Sequence, residues 1–269
     1  REKSAPLRVQ GLLMHGMTRF WMGDVATGVP YLEEGIALSD EHRQAVFGKS
    51  PLFDHSVGCR RYHAVSLWLL GYPDQAARRA SEAVADARSL KHPLTLASTL
   101  SFVSMLHHFL RETKAVAETA AEAVACTREY VLTYWLGFAR SLHGWAVAQL
   151  ADPSSGPSTW EEGVVEIRES LEAHRAAGAR TFGTIRWALL AETYMLRARL
   201  DEAASALDVG LTLAREADEG FWEAELHRLR GELSLALEME HDAEAHFDRA
   251  IAVARERKEK SLELRALMS

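Results

Sequence analysis

The segment Gly48-Lys49-Ser50 is the most obvious place to look for chemistry. A nucleotide-binding loop ends in a Gly-Lys-Ser/Thr triplet and cradles phosphates with its backbone amides. Such a loop also needs a glycine five residues before its second glycine, and that position is Arg43 in this chain. No apolar strand precedes the segment to aim a helix N-terminus at a phosphate. The sequence therefore predicts no ATP site here.

The histidines raise the question of a metal site. His15, His63 and His143 each precede a small residue at equivalent places in a repeating pattern. Equivalent positions in packed helix pairs lie about 10 Å apart, whereas the ligands of one metal ion all lie roughly 2 Å from it. The adjacent His107 and His108 point in different directions on a helix. We therefore predict packing or surface roles for these side chains, with no metal and no cofactor.

No arrangement typical of nucleophilic or acid–base catalysis is recognisable. A Ser-His-Asp or Cys-His set cannot be picked out, and the glutamates alternate with arginines as they do on solvated helix surfaces. Cys59 and Cys126 lack a C-x-x-C partner, so the sequence indicates neither a disulfide framework nor a zinc site. We predict a protein that is not an enzyme and that works in a reducing, cytoplasmic setting.

The charge balance argues against a polyanionic partner. The 269 residues include 31 basic and 38 acidic ones, a formal net charge of -7, with no long run of either sign. A nucleic-acid-binding protein carries a basic patch or stripe, which is missing here. There is also no signal peptide and no apolar run of about 18 residues. The predicted partners therefore include neither nucleic acid nor a membrane.

Small residues recur along the chain with a step of about forty, which indicates a repeated structural unit. In each unit a triplet follows with gaps of four and then three residues, the spacing of one helix face. The small anchors are Gly16, Ala64, Ser104, Gly144, Ala191 and Gly231. In the fourth unit the triplet begins later than in the others, because the Pro/Gly/Ser segment DPSSGPST follows Ala151 at the turn.

The units predict six helix pairs in one domain covering 1–269. Their approximate limits are 5–40, 57–90, 93–128, 131–176, 180–217 and 220–257, with a terminal helix over 260–269. Only 7 prolines and 17 glycines, against abundant Ala, Leu, Glu and Arg, favour helix over strand. Pro30 falls inside the second helix of the first pair, and we expect that helix to start late, near Thr27, rather than to bend.

The fifth unit carries the most specific motif. Trp187, Leu190, Ala191 and Tyr194 follow the spacing Trp-x2-Leu-Gly/Ala-x2-Tyr, and the small residue Ala203 stands in the following helix. This pattern resembles the signature of a tetratricopeptide repeat (TPR). The resemblance implies an all-α fold, a right-handed α-solenoid of TPR-like helix pairs with about 12–13 helices. Because the step of about forty exceeds the usual 34, a HEAT-type solenoid is the alternative.

The first helix of each pair lines the inner surface of such an array and supplies the candidate binding residues. Positions one and four after each anchor should face this surface, and they are unusually apolar in the first four units. Arginines three positions before two anchors add cations. The candidate site residues are Met17, Phe20, Arg61, Trp68, Met105, His108, Trp145, Glu192, Met195 and Arg228.

Two interpretations of this inner stripe stay open. Aromatic and methionine side chains can accept a protein segment, a peptide or a small apolar ligand, the last in a pocket formed by Trp68, Met105 and Trp145. Alternatively, the helices curl more tightly and bury these side chains against one another as core. An uncapped end of the array would expose an apolar face, so we also expect that two copies can pair as a homodimer.

Two stretches carry a more specific resemblance. They are LWLLGYPDQAARRASEAVADARSLKHP, from Leu67 to Pro93, and FWEAELHRLRGELSLA, from Phe221 to Ala236. Both resemble the carboxy-terminal TPR-like region of large bacterial regulators that carry an adenylate/guanylate cyclase or DNA-binding domain and a signalling ATPase domain. The resemblance implies that this chain is a fragment of a longer protein. It also implies that the repeats sense a ligand or partner and control the other domains of the parent chain.

Overall fold

Every regular element in the described part of the chain is a helix, which confirms the predicted all-α solenoid. The computed structural model describes residues 4–50, 53–152, 158–179, 181–216 and 219–269. The α-helices are α1 (Ala5–Trp21), α2 (Val25–Glu41), α3 (Arg43–Val46), α4 (His55–Leu69), α5 (Pro73–Leu90), α6 (Pro93–Phe109), α7 (Thr113–Glu129), α8 (Thr133–Leu150), α9 (Ser158–Ala176), α10 (Gly183–Met195), α11 (Leu200–Glu216), α12 (Glu223–Ala236), α13 (Glu240–Arg257) and α14 (Lys260–Met268). A 3₁₀-helix over Gly220–Trp222 leads into α12.

The helices form two layers. Six consecutive hairpins pair α1 with α2, α4 with α5, α6 with α7, α8 with α9, α10 with α11 and α12 with α13. The first helices of successive pairs contact one another and form the inner layer, while the second helices lie outside them. Helix α14 packs on α12 and α13 and also reaches α4.

The small anchor residues allow the two helices of a pair to approach closely. A Cβ atom added to Gly144 in α8 would lie 2.6 Å from the carbonyl oxygen of Gly163 in α9, so the two backbones touch at this crossing. A Cβ atom added to Gly16 would meet the Leu32 side chain at 2.5 Å. Ala191 is fully buried at the corresponding place in α10. The repeated small residue is therefore a packing requirement, which is why its spacing predicts the pairs.

The local path differs from expectation at Pro30. Helix α2 begins at Val25, before Thr27, so the predicted late start is wrong. Pro30 lies within the helix with its ring exposed to solvent, and its missing N–H removes one bond to the carbonyl of Ala26. Packing of the remaining helix face outweighs that loss.

The link before α4 also holds the short helix α3, and the DPSSGPST segment lies largely outside the described residues.

The array curls until its ends meet. Phe20, at the end of α1, stacks on Phe221 with ring centroids 4.9 Å apart. The Ser261 hydroxyl of α14 donates a hydrogen bond to the carbonyl oxygen of Trp68 in α4. Arg257, at the end of α13, donates to the carbonyl oxygen of Gly220 and contacts the turn after α1. The first two pairs therefore contact the last pair directly.

Aromatic side chains from two links fill the axis of this curl. Phe182 stacks on Phe138 at 3.9 Å, and Trp222 stacks on Phe109 at 4.3 Å. Phe182 has a positive φ of 63°, a conformation that costs about 1 kcal/mol or more for a non-glycine residue. Its side chain is almost completely buried, which offsets that cost. We call the rings of Phe182, Phe221 and Trp222 the aromatic plug.

Candidate functional site

The inner stripe predicted from the sequence does face the inside of the superhelix, but it does not line an open groove. Met17 and Met195 are half-buried, and the other eight candidates are buried. They pack against one another and against the aromatic plug. The tighter curl, the second of the two interpretations, describes the observed packing of these side chains.

Several candidates nevertheless meet at one opening of the curled array, where the first helices of several pairs end. A cleft of about 730 Å³ opens there, between the carboxyl ends of α6, α8 and α10, the middle of α12, and α14. We call this cleft the mouth. Its lining residues are Arg111, Gln149, Glu192, Met195, Leu196, Arg228, Leu229, Glu232, Arg265, Met268 and Ser269.

Glu225 is the centre of the ion-pair network below the mouth. Its side chain is fully buried, and it accepts hydrogen bonds from three arginines. Arg228 donates to both carboxylate oxygens at 2.9 Å, and Arg265 and Arg111 donate to Oε1 at 3.0 and 3.2 Å. Arg228 also pairs with Glu232. Buried charges are tolerated only when they are paired in this way, so these groups hold one another in place.

Glu192 links this network to the buried inner stripe. Its Oε2 accepts hydrogen bonds from Arg111 at 2.9 Å and from the indole of Trp145 at 2.9 Å, and Nε2 of His108 lies 3.4 Å away. Its Oε1 is buried without a hydrogen-bond partner among the described residues. An unpaired carboxylate oxygen beside a cleft is an acceptor that a bound N–H group can satisfy.

Glu225 and Glu192 are kept ionised by their electrostatic surroundings. Burial alone would raise the pKa of Glu225, but Arg228, Arg265 and Arg111 outweigh it and lower that pKa to about 2. Burial likewise opposes ionisation of Glu192, yet Arg111 and His108 hold its pKa well below the ordinary value. The mouth therefore presents fixed charges of both signs at neutral pH.

The remaining candidates lie away from the mouth. Trp68 is connected to it indirectly, because the guanidinium carbon of Arg265 lies 4.8 Å from the centre of its ring. Arg61 donates to the Ser98 hydroxyl at 2.5 Å among aromatic rings, and burial lowers the pKa of its guanidinium. Met17 and Phe20 pack in the core near the end of α1. The structure thus brings together His108, Trp145, Glu192, Met195 and Arg228, whereas Met105 is fully buried in the core.

The sequence patterns do not reveal Arg111, Glu225 and Arg265 as members of this site, whereas Glu232, one position after the anchor Gly231, is expected at the inner surface and lines the mouth. Arg111 follows α6 at a turn and has a positive φ of 61°, which no repeat position predicts. Arg265 comes from α14, far along the chain from Phe109, whose carbonyl oxygen it contacts. One signal is available for Glu225, which stands three residues before Arg228 on the same helix, a spacing typical of ion pairs.

The motifs considered first for chemistry have structural partners. The Gly48 amide donates to the Asp54 carboxylate at 2.6 Å. His15 stacks on Tyr31, and Nδ1 of His143 lies 2.7 Å from Glu166, so each contacts the second helix of its own pair. Within the residues that the structure describes, no group of three or more His, Cys, Asp or Glu side chains is placed to hold a metal ion. The same part of the chain has no helix long and apolar enough to cross a membrane.

Comparison with known proteins gives a likeness of fold rather than of sequence. No protein-family model matches the chain, and no curated protein matches it significantly. Among solved structures, a Rap protein complexed with Competence and Sporulation Factor is similar with a TM-score of 0.70 and 13% identity, over 94% of this chain and 65% of that one. A thermophilic TPR protein of Thermus thermophilus gives a TM-score of 0.54 and 19% identity, over 79% of this chain and 97% of that one.

A third likeness is to a regulator. A Signal Transduction ATPase with Numerous Domains (STAND) protein with a tetratricopeptide repeat sensor, from Pyrococcus horikoshii, gives a TM-score of 0.57 and 10% identity. The likeness covers 93% of this chain but 35% of the STAND protein. Together with the helix pairs and their small anchors, these comparisons show that the chain has the fold of a TPR-type α-solenoid.

Proposed function

We propose that this chain is a non-catalytic sensor that binds a peptide or a segment of a protein partner at the mouth. In a longer bacterial regulator, such binding would control a linked signalling ATPase or cyclase in the cytoplasm. The observation that carries the proposal is the mouth itself, an open cleft whose charges are already fixed by mutual pairing. A preorganised site of this kind costs little to order when a ligand binds.

The chemistry of the mouth favours a ligand with charged and apolar parts. The Arg111 side chain is 42% exposed although both of its carboxylate partners are buried, so its guanidinium is accessible to a ligand carboxylate. Glu192 lines the mouth, and its buried Oε1 has no hydrogen-bond partner among the described residues. Met195, Leu196 and Met268 supply an adaptable apolar edge. A peptide offers all three kinds of group along one short segment.

The structural neighbours support the same class of function. The Rap structure is a complex with Competence and Sporulation Factor, and the STAND protein uses a TPR region as its sensor. Both have the fold found here, and neither is close in sequence. The link to an ATPase or cyclase rests on the resemblance of the two sequence stretches described above.

A selection experiment tests the proposal. A random peptide library displayed on phage is panned against the chain, and the selected peptides are measured by fluorescence anisotropy. We expect Arg111→Gln to weaken binding about tenfold or more, the loss expected for a charge-assisted contact. Leu196→Glu, at the exposed rim of the mouth, should weaken it similarly because it places a charge on the apolar edge. Arg88→Gln is the control, because Arg88 pairs with Glu122 in the outer layer. Equal binding by all variants, or no selected peptide, would contradict the proposal.

Homodimerisation is a separate proposal that rests on α14. Leu264 and Leu267 are 58% and 56% exposed on this helix, so its outer face is apolar. We propose that two copies pair through it. Sedimentation velocity should show a dimer that Leu264→Glu converts to a monomer, and a wild-type monomer at high concentration would disprove the pairing.

A further inference from the structure

A second cavity lies in the outer layer, away from the mouth. It has a volume of about 600 Å³ and opens between α9 and α11, with α10 as its floor. Each helix contributes one continuous face to it. The lining residues that matter below are Arg168, His174 and Arg175 of α9, Trp187 and Leu190 of α10, and Ser205 of α11.

The cavity exists because the facing side chains are too small to fill it. Ser205 and Ala206 of α11 face the space opposite the long α9. The floor helix α10 has 13 residues, whereas α6 and α8 have 17 and 18. Trp187 is therefore only half-buried, with its ring on the cavity wall. The volume lies within the range of about 300–1,000 Å³ that is typical of small-molecule sites.

Two arginines without ion-pair partners among the described residues stand on one wall of this apolar space. Arg168 and Arg175 stand two turns apart on α9, and neither forms an ion pair within the described ranges. Glu172 lies between them in sequence, yet it is not within ion-pair distance of either. Arg88 of the outer layer, by contrast, pairs across helices with Glu122. Both guanidinium groups are exposed at the cavity, so each is free to pair with the anionic group of a ligand.

Buried nitrogen atoms give a second, independent indication. Nε2 of His174, which lines the cavity, is buried without a hydrogen-bond partner in the described part of the chain. Arg186 is 1% exposed, and all three of its guanidinium nitrogens lack a hydrogen-bond partner among the described residues. Burial and the nearby charge of Arg186 lower the pKa of His174 to about 4. Arg186 itself does not line the cavity, but its positive charge acts on His174, which does.

We propose that this cavity binds a small amphipathic carboxylate, with its apolar body against Trp187 and Leu190 and its carboxylate at Arg168 and Arg175. The apolar floor excludes a simple inorganic anion as the preferred ligand, because such an ion would leave that surface unfilled. The arginines in turn disfavour a neutral hydrocarbon. The site is separate from the mouth, so a small-ligand function does not depend on the peptide function proposed above.

Decanoate is a suitable probe, with decanol as its neutral counterpart. Isothermal titration calorimetry should show one decanoate bound per chain, with decanol at least tenfold weaker. The double variant Arg168→Gln/Arg175→Gln should weaken decanoate binding at least tenfold, the loss of charge-assisted contacts. Arg128→Gln, which removes an exposed arginine from α7, is the matched control and should bind like the wild type.

A cavity-filling variant tests the location independently of charge. Ser205 is exposed on α11, so Ser205→Phe fills the space without disturbing the core, and circular dichroism should show an unchanged fold. This variant should abolish decanoate binding while peptide binding at the mouth stays unchanged. The proposal is overturned if decanol binds as tightly as decanoate, or if the double variant or Ser205→Phe keeps wild-type affinity.

Discussion

Replacing Glu225 by glutamine tests how the mouth is held together. The wild-type carboxylate is fully buried and accepts four hydrogen bonds from three arginines. Glutamine has nearly the same shape but carries no charge, and its amide group cannot accept from all of them. Arg228 and Arg265 would then lose their buried counter-charge, and an uncompensated buried charge is strongly destabilising.

Two independent estimates give the size of the effect. Removing one partner of a buried ion pair costs about 3–5 kcal/mol. The arginines lower the pKa of Glu225 from the ordinary 4.5 to about 2, and at about 1.4 kcal/mol for each pKa unit this gives about 3 kcal/mol. We therefore expect Glu225→Gln to lower the free energy of unfolding by about 3 kcal/mol at pH 7.

The pH dependence gives the prediction a distinctive form. Because the folded-state pKa lies below the unfolded-state value, the stabilisation is complete above about pH 4.5 and is lost as the pH falls towards 2. Urea unfolding followed by circular dichroism at about pH 7, 5 and 3.5 measures this directly. The difference between wild type and Glu225→Gln should be constant from about pH 7 to 5 and should shrink at about pH 3.5.

The exposed Glu118 on α7 provides the control, since Glu118→Gln should change stability by no more than about 0.5 kcal/mol. The reasoning would be refuted if Glu225→Gln cost less than about 1 kcal/mol at pH 7. It would be refuted equally by a difference that stayed constant down to about pH 3.5.

Three further predictions concern packing and a second buried carboxylate. Ala191→Trp should destabilise the chain by about 3 kcal/mol or more, because Ala191 is fully buried; an unchanged melting temperature would contradict the packing. Gly144→Ala should cost about 1–3 kcal/mol, because the new Cβ meets the backbone of Gly163. Gly11→Ala should stabilise α1 by roughly 0.5–1 kcal/mol, because no atom lies within 4 Å of the new Cβ. Urea unfolding should therefore show changes of opposite sign in the free energy of unfolding. Burial raises the pKa of Glu219 to about 7, so its ionisation should lower wild-type stability by up to about 3 kcal/mol as the pH rises from 4.5 past 7. Glu219→Gln should make the decline between melts at about pH 5 and 8 smaller, and the remainder comes from Glu259, whose pKa burial also raises.

The helix pairs are predictable because their cause is local in sequence. Close backbone contact at Gly144 or Ala191 requires a small residue, and that requirement recurs with every pair. At the fifth pair the large residues Trp187 and Tyr194 flank the small anchor Ala191 at fixed spacing, which makes that pair the most specific in sequence. The start of α2 is not predictable in this way, because the local cost of Pro30 argues for a late start while packing of the whole helix decides where it begins.

The site is less predictable because it depends on the tightness of the curl. Repeat spacing places Glu192 and Arg228 on the inner surface, and both lie there. It does not show that Phe182 and Trp222 turn inward from the links and fill the axis. Nor does it show that Arg111 and Arg265, from distant parts of the chain, converge on Glu225. Contacts of this kind follow from three-dimensional closure rather than from any periodic pattern.

The attachment of α14 to α4 and α6 changes how this solenoid should unfold. In most repeat arrays each unit touches only its nearest neighbours, so the terminal units fray first and the rest follows in sequence. Here Ser261 bonds to Trp68 and Arg265 bonds to Phe109, which ties the last helix to the second and third pairs. Loosening either end therefore breaks contacts at the other. The molecule should melt as a single cooperative unit, and amides near both ends should exchange with solvent as slowly as those in the middle.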